Sequence, residues 1–143
     1  MIEKALYAIL HDDPKIKRRV GDRIFPLERD QGSKLPALTY QRVKGVRDSD
    51  MEGVTGLVES RFLISIYAER RGNKSAYLGA KELRSLIRDR LCPQGGFREV
   101  VGSTEIQGIF VNDEDDRRTD GATGVGVVRV ILDCTIWHIE HFL

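Results

Sequence analysis

The segment that most constrains the fold is residues 125–140, which read VGVVRVILDCTIWHIE. Hydrophobic side chains recur at every second position, which is the spacing of a β-strand with one face against a core. A half-buried strand of this length needs partner strands and a layer that covers one face of the sheet. The alternation predicts the inward side chains Val128, Val130, Leu132, Cys134 and Ile136.

Three further segments can supply the partner strands. Residues 58–69 alternate clearly, whereas residues 37–43 and 103–112 alternate more weakly. We expect residues 22–26, DRIFP, to be an extended segment that leaves the helical part of the chain. The inward side chains predicted for the clearest of these strands are Phe62, Ile64, Ile66 and Ala68.

Helical spacing appears in two longer segments, residues 2–11 and 73–91. A shorter helix between the first helix and the sheet is predicted to begin at Pro14, which needs no N–H there, and to end at Gly21. Asp12 or Asp13 can cap it. The apolar stripe of residues 73–91 comprises Ala76, Ala80, Leu83, Ile87 and Leu91, and the side chains expected to face water are Lys81, Glu82, Arg84, Arg88 and Asp89.

The order of elements is therefore α-α-β-β-α-β-β. This order predicts an α+β fold, in which an antiparallel sheet of about four strands is packed by a central helix, with helices at the N-terminus. A length of 143 residues fits one domain, residues 1–143.

Charge and cysteine content exclude several classes of protein. The chain has 23 Lys and Arg against 22 Asp and Glu, a net charge of +1, which argues against a general nucleic-acid or membrane binder. No apolar run approaches the roughly 18 residues of a spanning helix, and the first residues do not resemble a signal peptide. The two cysteines are expected to be reduced thiols in a cytosolic protein.

Motifs for a cofactor or metal are weak. The glycines of residues 121–129 lack the spacing of a dinucleotide loop and open a strand, not a helix. The acidic residues 112–116 are followed at once by two arginines that would oppose a cation. His138 and His141 lack a third ligand for zinc. We therefore expect no cofactor and no metal.

A catalytic group is not apparent either. Cys134 is expected on the buried face of its strand and His138 in exposed surroundings, so a Cys–His pair is not predicted. No histidine is expected near Ser60 or Ser65. The sequence therefore does not indicate an enzyme.

The charged connections between strands are the unusual feature. Residues 44–56 and 113–124 are predicted to be long loops without regular structure, and loops of such length are usually functional or disordered. Opposite charges on two loops suit a head-to-tail ring of copies, although two unrelated solvated loops remain the alternative. The candidate interface residues are Arg42, Lys44, Arg47, Asp48 and Asp50 near the first loop and Asp113, Glu114, Asp115, Asp116, Arg117 and Arg118 in the second.

Taken together, the segments resemble those of the bacteriophage tail-completion proteins, also called tail terminators or head-to-tail joining proteins. The resemblance follows the order IEKALYAIL, DPKIKRRVGDRIFP, LPALTYQRVKGVRD, GLVESRFLISIYAE, AYLGAKELRSLIRDRL and GVVRVILDCTIWH, over nearly the full length. It extends alike to phages, prophages and gene-transfer agents.

The resemblance implies a structural protein rather than an enzyme. Its copies would form a hexameric ring at the head-proximal end of the virion tail, cap the tail tube, stop tube polymerisation and join the tail to the head–tail connector protein. Assembly would take place in the host cytoplasm. The expected partners are further copies of the chain, the tail-tube protein and the connector, with no membrane and no specific nucleic acid.

Two other functions remain as alternatives. A head-completion or connector adaptor of the same virion would add to the portal without tails. A nucleic-acid binder would lose affinity steeply as salt increases.

Overall fold

The computed structural model describes the backbone of residues 1–50, 53–118 and 126–140, and the side chains of residues 1–46, 56–117 and 126–140. Within these ranges the chain forms three helices and one sheet of six strands. The elements in chain order are α1 (Ile2–Asp12), α2 (Pro14–Val20), β1 (Ile24–Pro26), β2 (Ala37–Asp50), β3 (Gly53–Ala68), α3 (Ala76–Leu91), β4 (Glu99–Val101), β5 (Thr104–Arg118) and β6 (Val128–Glu140).

The sheet has the strand order β1-β2-β3-β6-β5-β4. β1 runs parallel to β2, and every other pair of neighbours is antiparallel. The predicted α+β class is confirmed, but the expectation of about four antiparallel strands is incomplete. β1 and β4 have three residues each, too few for a periodic pattern to reveal them.

The short helix α2 shows how local sequence sets a boundary. Asp13 caps it, since its Oδ1 accepts hydrogen bonds from the N–H groups of Lys15 and Ile16 at 2.9 and 3.1 Å. Pro14 occupies the first turn as predicted. Gly21 ends the helix with φ of +58°, a backbone conformation that is unfavourable for residues with a Cβ.

The core lies between the sheet and the helices. α3 packs across β3 and β6, and α1 lies beside α2 and α3. We call this side of the sheet the inner face and the opposite side the outer face. The predicted inward residues of β3 are buried, and those of β6 are fully buried except the half-buried Val128. The predicted stripe of α3 is also buried.

The outer face is partly buried as well, although the helices lie on the other side. Ile131, Asp133 and Thr135 of the central strand β6 are only 7–8% exposed. Side chains of the two neighbouring strands contribute to this burial, since Arg61 of β3 and Asn112 of β5 hydrogen-bond to Asp133, and Asn112 also to Thr135.

Candidate assembly surfaces

The first predicted loop, residues 44–56, is a β-hairpin as far as the structure describes it. β2 continues to Asp50 and β3 begins at Gly53, and their pairing extends to Asp50 opposite Gly53. Residues 51 and 52 lie outside the described ranges. The prediction failed because two irregularities in register, between Arg42 and Lys44 and between Arg47 and Ser49, interrupt the two-residue alternation.

The two basic side chains that the structure describes here point to different faces. Arg42 lies opposite the inward Phe62, whereas Lys44, one bulge later, lies opposite the outward Arg61. Both are exposed. The guanidinium of Arg42 folds over Gly45, where a Cβ would lie 1.9 Å from its Nη2. Arg47, Asp48 and Asp50 belong to β2 by their backbone, and their side chains lie outside the described part of the chain.

The prediction of a second loop at residues 113–124 is also wrong for its first half. Residues 113–118 continue β5, paired with β6 from Asp113 opposite Asp133 to Arg118 opposite Val128. A register shift between Val111 and Asp113 again breaks the alternation. Residues 119–125 and the side chain of Arg118 lie outside the described ranges.

Two acidic residues of β5 face the helix layer. Glu114 accepts from Nη1 of Arg84 at 3.0 Å with both carboxylate oxygens, and Arg88 lies 3.6 Å away. The Arg84 side chain is only 17% exposed. The expectation that Arg84 faces water is therefore wrong, because Glu114, 30 residues later in sequence, lies against it.

Asp116 makes the second contact with α3. It accepts a hydrogen bond from the Tyr77 hydroxyl at 2.7 Å and is paired with Lys81 Nζ at 3.1 Å. The Tyr77 hydrogen bond, followed by the contact with Lys81, lowers the pKa of Asp116 below its usual value. The sequence predicted that Lys81 would simply face water, but Lys81 instead forms an ion pair with Asp116.

Three further charged residues of β5, Asp113, Asp115 and Arg117, lie on the outer face. Asp113 lies opposite Asp133 of β6 in the strand register, and Asp115 accepts from Nε of Arg117 at 2.7 Å. The candidate interface residues of β5 are thus divided: Glu114 and Asp116 are bound to α3, whereas Asp113, Asp115 and Arg117 project from the opposite face.

A polar network that sequence reasoning missed crosses the outer face. Asp133 accepts from Nε of Arg61 at 2.8 and 3.0 Å and from Nδ2 of Asn112 at 3.3 Å, and Asn112 also donates to Thr135 at 2.7 Å. These bonds, with Arg61 first, lower the pKa of Asp133. The network joins β3, β6 and β5, and Asp133 is buried only because its charge is paired.

A shallow groove of about 340 Å³ adjoins this network. It crosses the outer face from β2 to β5 and has both charged and apolar walls. Its lining consists of Lys44, Val46, Glu59, Arg61, Asn112 and Thr135.

The expectation that Ser60 has no histidine nearby, and that His138 is exposed, is wrong. Ser60 Oγ and His138 Nε2 are 2.8 Å apart, and the two residues are 0% and 2% exposed. Such a pair has no open side for a substrate, so it is a buried hydrogen bond that links β3 to β6. Cys134 is buried as predicted, and burial raises the pKa of its thiol to about 12.

Neither a metal centre nor a membrane-spanning helix is found in the part of the chain that the structure describes. Among those residues, no three His, Cys, Asp or Glu side chains are arranged to hold a metal ion. No helix in the described ranges combines the length and apolar character needed to cross a membrane.

These features define the class of the molecule: an α+β protein that presents open strand edges and charged strand ends. The model of the family described as "Tail completion protein gp17" matches residues 4–139. The chain belongs to this family of structural phage tail proteins, so the resemblance stated from its sequence is confirmed.

A solved structure shares the fold. One chain of the "Virion of native gene transfer agent (GTA) particle" superposes with a TM-score of 0.74 at 19% identity, over 97% of this chain and 94% of that chain. At this identity the similarity shows the fold alone. Among curated protein sequences, none matches the chain.

Proposed function

We propose that this protein is a tail terminator. Its copies form a ring, hexameric as the family resemblance implies, at the head-proximal end of the virion tail. The ring caps the tail tube, stops addition of further tube subunits and joins the tail to the head connector. In this role the protein is structural and carries out no reaction.

The observation that carries the proposal is the match of the family model to residues 4–139, which includes part or all of every helix and strand. The shared fold with a chain of a phage-like virion supports it. Completing a tail requires a unit that binds the growing end without offering the same surface again, because head-to-tail contacts otherwise continue indefinitely.

The surfaces described above suit such a unit. Exposed Arg42 and Lys44 on one hairpin, with Arg47, Asp48 and Asp50 further along the same strand, would contact the tail-tube protein or a neighbouring copy. On β5, Asp113, Asp115 and Arg117 are available for the adjacent copy or the connector. Arg118 follows them in the same strand. Glu114 and Asp116 would act indirectly, by holding β5 against α3.

The test uses the tail-tube protein from the same genome, polymerised with and without this protein. Electron microscopy then scores tube length and the presence of a ring at one end. We expect shorter tubes that carry a ring at a single end. Unchanged lengths with bare ends would overturn the terminator role, and binding to the portal in the absence of tails would then identify a head-completion adaptor.

A matched pair of variants tests the interface residues. Arg117→Glu with Arg118→Glu reverses two charges on β5, and Lys15→Glu with Arg18→Glu reverses two exposed charges on α2. We expect only the β5 variant to lose ring formation. If it caps tubes as well as the α2 variant does, the assignment of β5 to the interface is wrong.

A further inference from the structure

A small cleft lies where α2, the end of β3 and the first turns of α3 meet, and its volume is about 110 Å³. This is below the usual range of roughly 300–1,000 Å³ for small-molecule sites, so the cleft suits a single side chain. Pro36, Ala68 and Leu83 form its apolar wall, and the last two are 5% and 1% exposed. We call it the basic cleft, because of the charges around it.

Positive charge dominates the basic cleft. Its lining includes four cationic side chains but one carboxylate, that of Glu69. The four cationic residues are Arg18, Arg19, Arg71 and Lys74. A cleft with this excess of positive charge attracts a negatively charged group.

Two of the four cations already have a partner within the chain. Glu82, beside the cleft, accepts a hydrogen bond from Arg19 at 3.3 Å and another from Lys74. Arg18 and Arg71 are exposed and form no ion pair with any residue in the described part of the chain. These two guanidinium groups are therefore available to a carboxylate from another molecule.

The fold sets the backbone positions of these cations in advance. In the turn between β3 and α3, the N–H of Arg71 donates to the carbonyl of Lys74 at 3.1 Å, and the N–H of Lys74 donates to the carbonyl of Arg71 at 2.9 Å. Arg18 and Arg19 are adjacent residues of α2. Because no backbone has to be ordered when a partner binds, the entropic cost of binding is small.

Gly79 gives independent evidence that another group approaches α3 at the cleft. It is an interior residue of this helix, where alanine is more favourable than glycine. A Cβ added at Gly79 would meet no atom within 4 Å, and the φ angle of this residue is not positive. Neither the packing nor the backbone of this chain therefore requires glycine. Since Gly79 lines the cleft, its missing side chain leaves room for a group of another molecule against the helix.

The basic cleft and the β2–β3 hairpin lie at opposite ends of the sheet. β3 begins at Gly53, in the hairpin, and ends at Ala68, in the wall of the cleft, roughly 50 Å further along the strand. Arg118, the last residue of β5, lies in the same row as Ala68 through Val128. In the proposed function the β2 hairpin contacts the tube or a neighbouring copy, and this leaves the end with the cleft for the connector.

We propose that the basic cleft binds an aspartate or glutamate side chain from an acidic segment of the head connector. The proposal rests on the proposed function and names a contact with one of its partners. The carboxylate bonds to Arg18 and Arg71, and its methylene groups lie against Gly79 and Leu83. A carboxylate is favoured over the phosphates of duplex DNA, because DNA binding relies on a broad basic surface and the net charge of this chain is only +1.

Removal of charge tests the cleft. Arg18→Ala with Arg71→Ala removes the two unpaired cations, and Lys15→Ala with Lys17→Ala removes two exposed cations of α2 that do not line the cleft. Biolayer interferometry at several salt concentrations measures binding to the purified connector protein of the same genome. We expect the first variant to bind roughly tenfold or more weakly and with less dependence on salt. The control variant should bind about as well as the parent protein, and both variants should still form rings and cap tubes.

Gly79→Ala separates binding from stability. The new methyl group should raise the midpoint of thermal unfolding by about 3 °C, because alanine favours the helix. It should also weaken connector binding by roughly tenfold, because it occupies the space of the bound side chain. Ser85→Ala, at an exposed position of the same helix, is the control and should leave binding unchanged. A Gly79→Ala variant that binds as well as the parent protein would contradict the proposal.

Cross-linking identifies the bound group directly. Among the described residues that line the cleft, Lys74 alone carries an amino group. A carbodiimide joins an amino group to a contacting carboxylate, so mass spectrometry of the linked peptides should connect Lys74 to an acidic residue of the connector. A link from Lys74 to Glu82 within the chain is expected with or without the connector. Lys74→Arg keeps the charge, and should bind the connector without linking to it. Links to the connector through other lysines alone would overturn the proposal.

The outcomes distinguish this proposal from the terminator role. If the connector binds the parent protein and the Arg18→Ala, Arg71→Ala variant equally, or binds neither, the cleft proposal is overturned, and tubes that still end in rings leave the terminator role standing. If only the cleft variants lose the connector but the parent protein leaves tube length unchanged, the cleft proposal stands and the terminator role is overturned. Duplex DNA that is retained by the parent protein and not by the cleft variant, without binding of the connector, would show that the occupant is nucleic acid and overturn the proposal.

Discussion

The far halves of β2 and β5, residues 41–50 and 107–118, are of similar length and both carry several charges, but their surroundings differ. α3 lies over the inner side of β5, where Arg84 holds Glu114 and Lys81 holds Asp116. Residues 41–46 of β2 are all exposed. The charges of a strand end therefore stabilise the fold where a helix covers the strand. Where no helix covers the strand, its charges stay exposed and can contact a partner.

The largest expected effect on stability concerns the Asp133 network, which joins β3, β6 and β5. Asp133→Ala removes the acceptor of Arg61 and Asn112 at a side chain only 11% exposed, and should lower the free energy of unfolding by about 2 kcal/mol. Asp113→Ala, directly opposite and exposed, should change it by less than about 0.5 kcal/mol. Urea denaturation at neutral pH measures both, and equal losses would show that the network does not stabilise the sheet.

Next in size is the contact between β5 and α3. Glu114→Ala leaves the partly buried Arg84 unpaired, and should cost about 1–2 kcal/mol of unfolding free energy. Asp115→Ala changes the adjacent residue on the opposite face and should cost under about 0.5 kcal/mol. Thermal denaturation of the two variants separates them. If Asp115→Ala proved the more harmful, the division of β5 into a bound and a free face would be wrong.

Acid should act on β5 through Asp116. Because Tyr77 and Lys81 lower the pKa of this carboxyl in the folded protein, its contribution to stability is complete above about pH 4, the ordinary value, and is lost as the pH falls through the lowered pKa. Asp116→Asn should therefore lose less stability than the parent protein between about pH 5 and pH 2. The same substitution in a Tyr77→Phe background should have a smaller effect. Urea midpoints at each pH are the measurement, and an unchanged pH dependence in Asp116→Asn would refute the assignment.

The smallest effect is expected on β2. In Gly45→Ala the new Cβ displaces the Arg42 guanidinium, but that group is exposed and flexible, so stability should change by less than about 0.5 kcal/mol. Any change should vanish when Arg42→Ala is also present, which a double-mutant cycle checks. A loss that persists in the double variant would mean that the backbone at residue 45, and not Arg42, requires glycine.

Most of the fold could be predicted from local patterns. The three helices and the inward faces of β3 and β6 follow from spacing and from residue types with well-defined preferences. A cap at Asp12 or Asp13 was expected in the same way, and the structure shows it at Asp13. The extension of β2 beyond Val43 could not be predicted, since Lys44, Gly45 and Arg47 are not typical strand residues. Pairing with β3 over the full hairpin outweighs their weak intrinsic preference for a strand.

The candidate surface could be predicted less well, because its contacts are distant in sequence. Nothing within residues 113–118 indicates that Glu114 and Asp116 contact α3 while Asp115 does not. The alternation of a strand would separate them, but an acidic run is equally typical of a loop, and that interpretation hides the alternation. The Asp133 network escapes prediction for a related reason: its partners come from three strands.

The bulge at Val43 has a consequence for how such a surface can evolve. It shifts the register by one residue, so that Lys44 faces outward although Arg42, two positions earlier, faces inward. Loss or gain of a single codon there would exchange the side chains on the two faces of residues 44–46 while the backbone hydrogen bonds of the sheet stayed available. A lineage could thus change the charges it shows to a new partner in one mutational step, without redesigning its core.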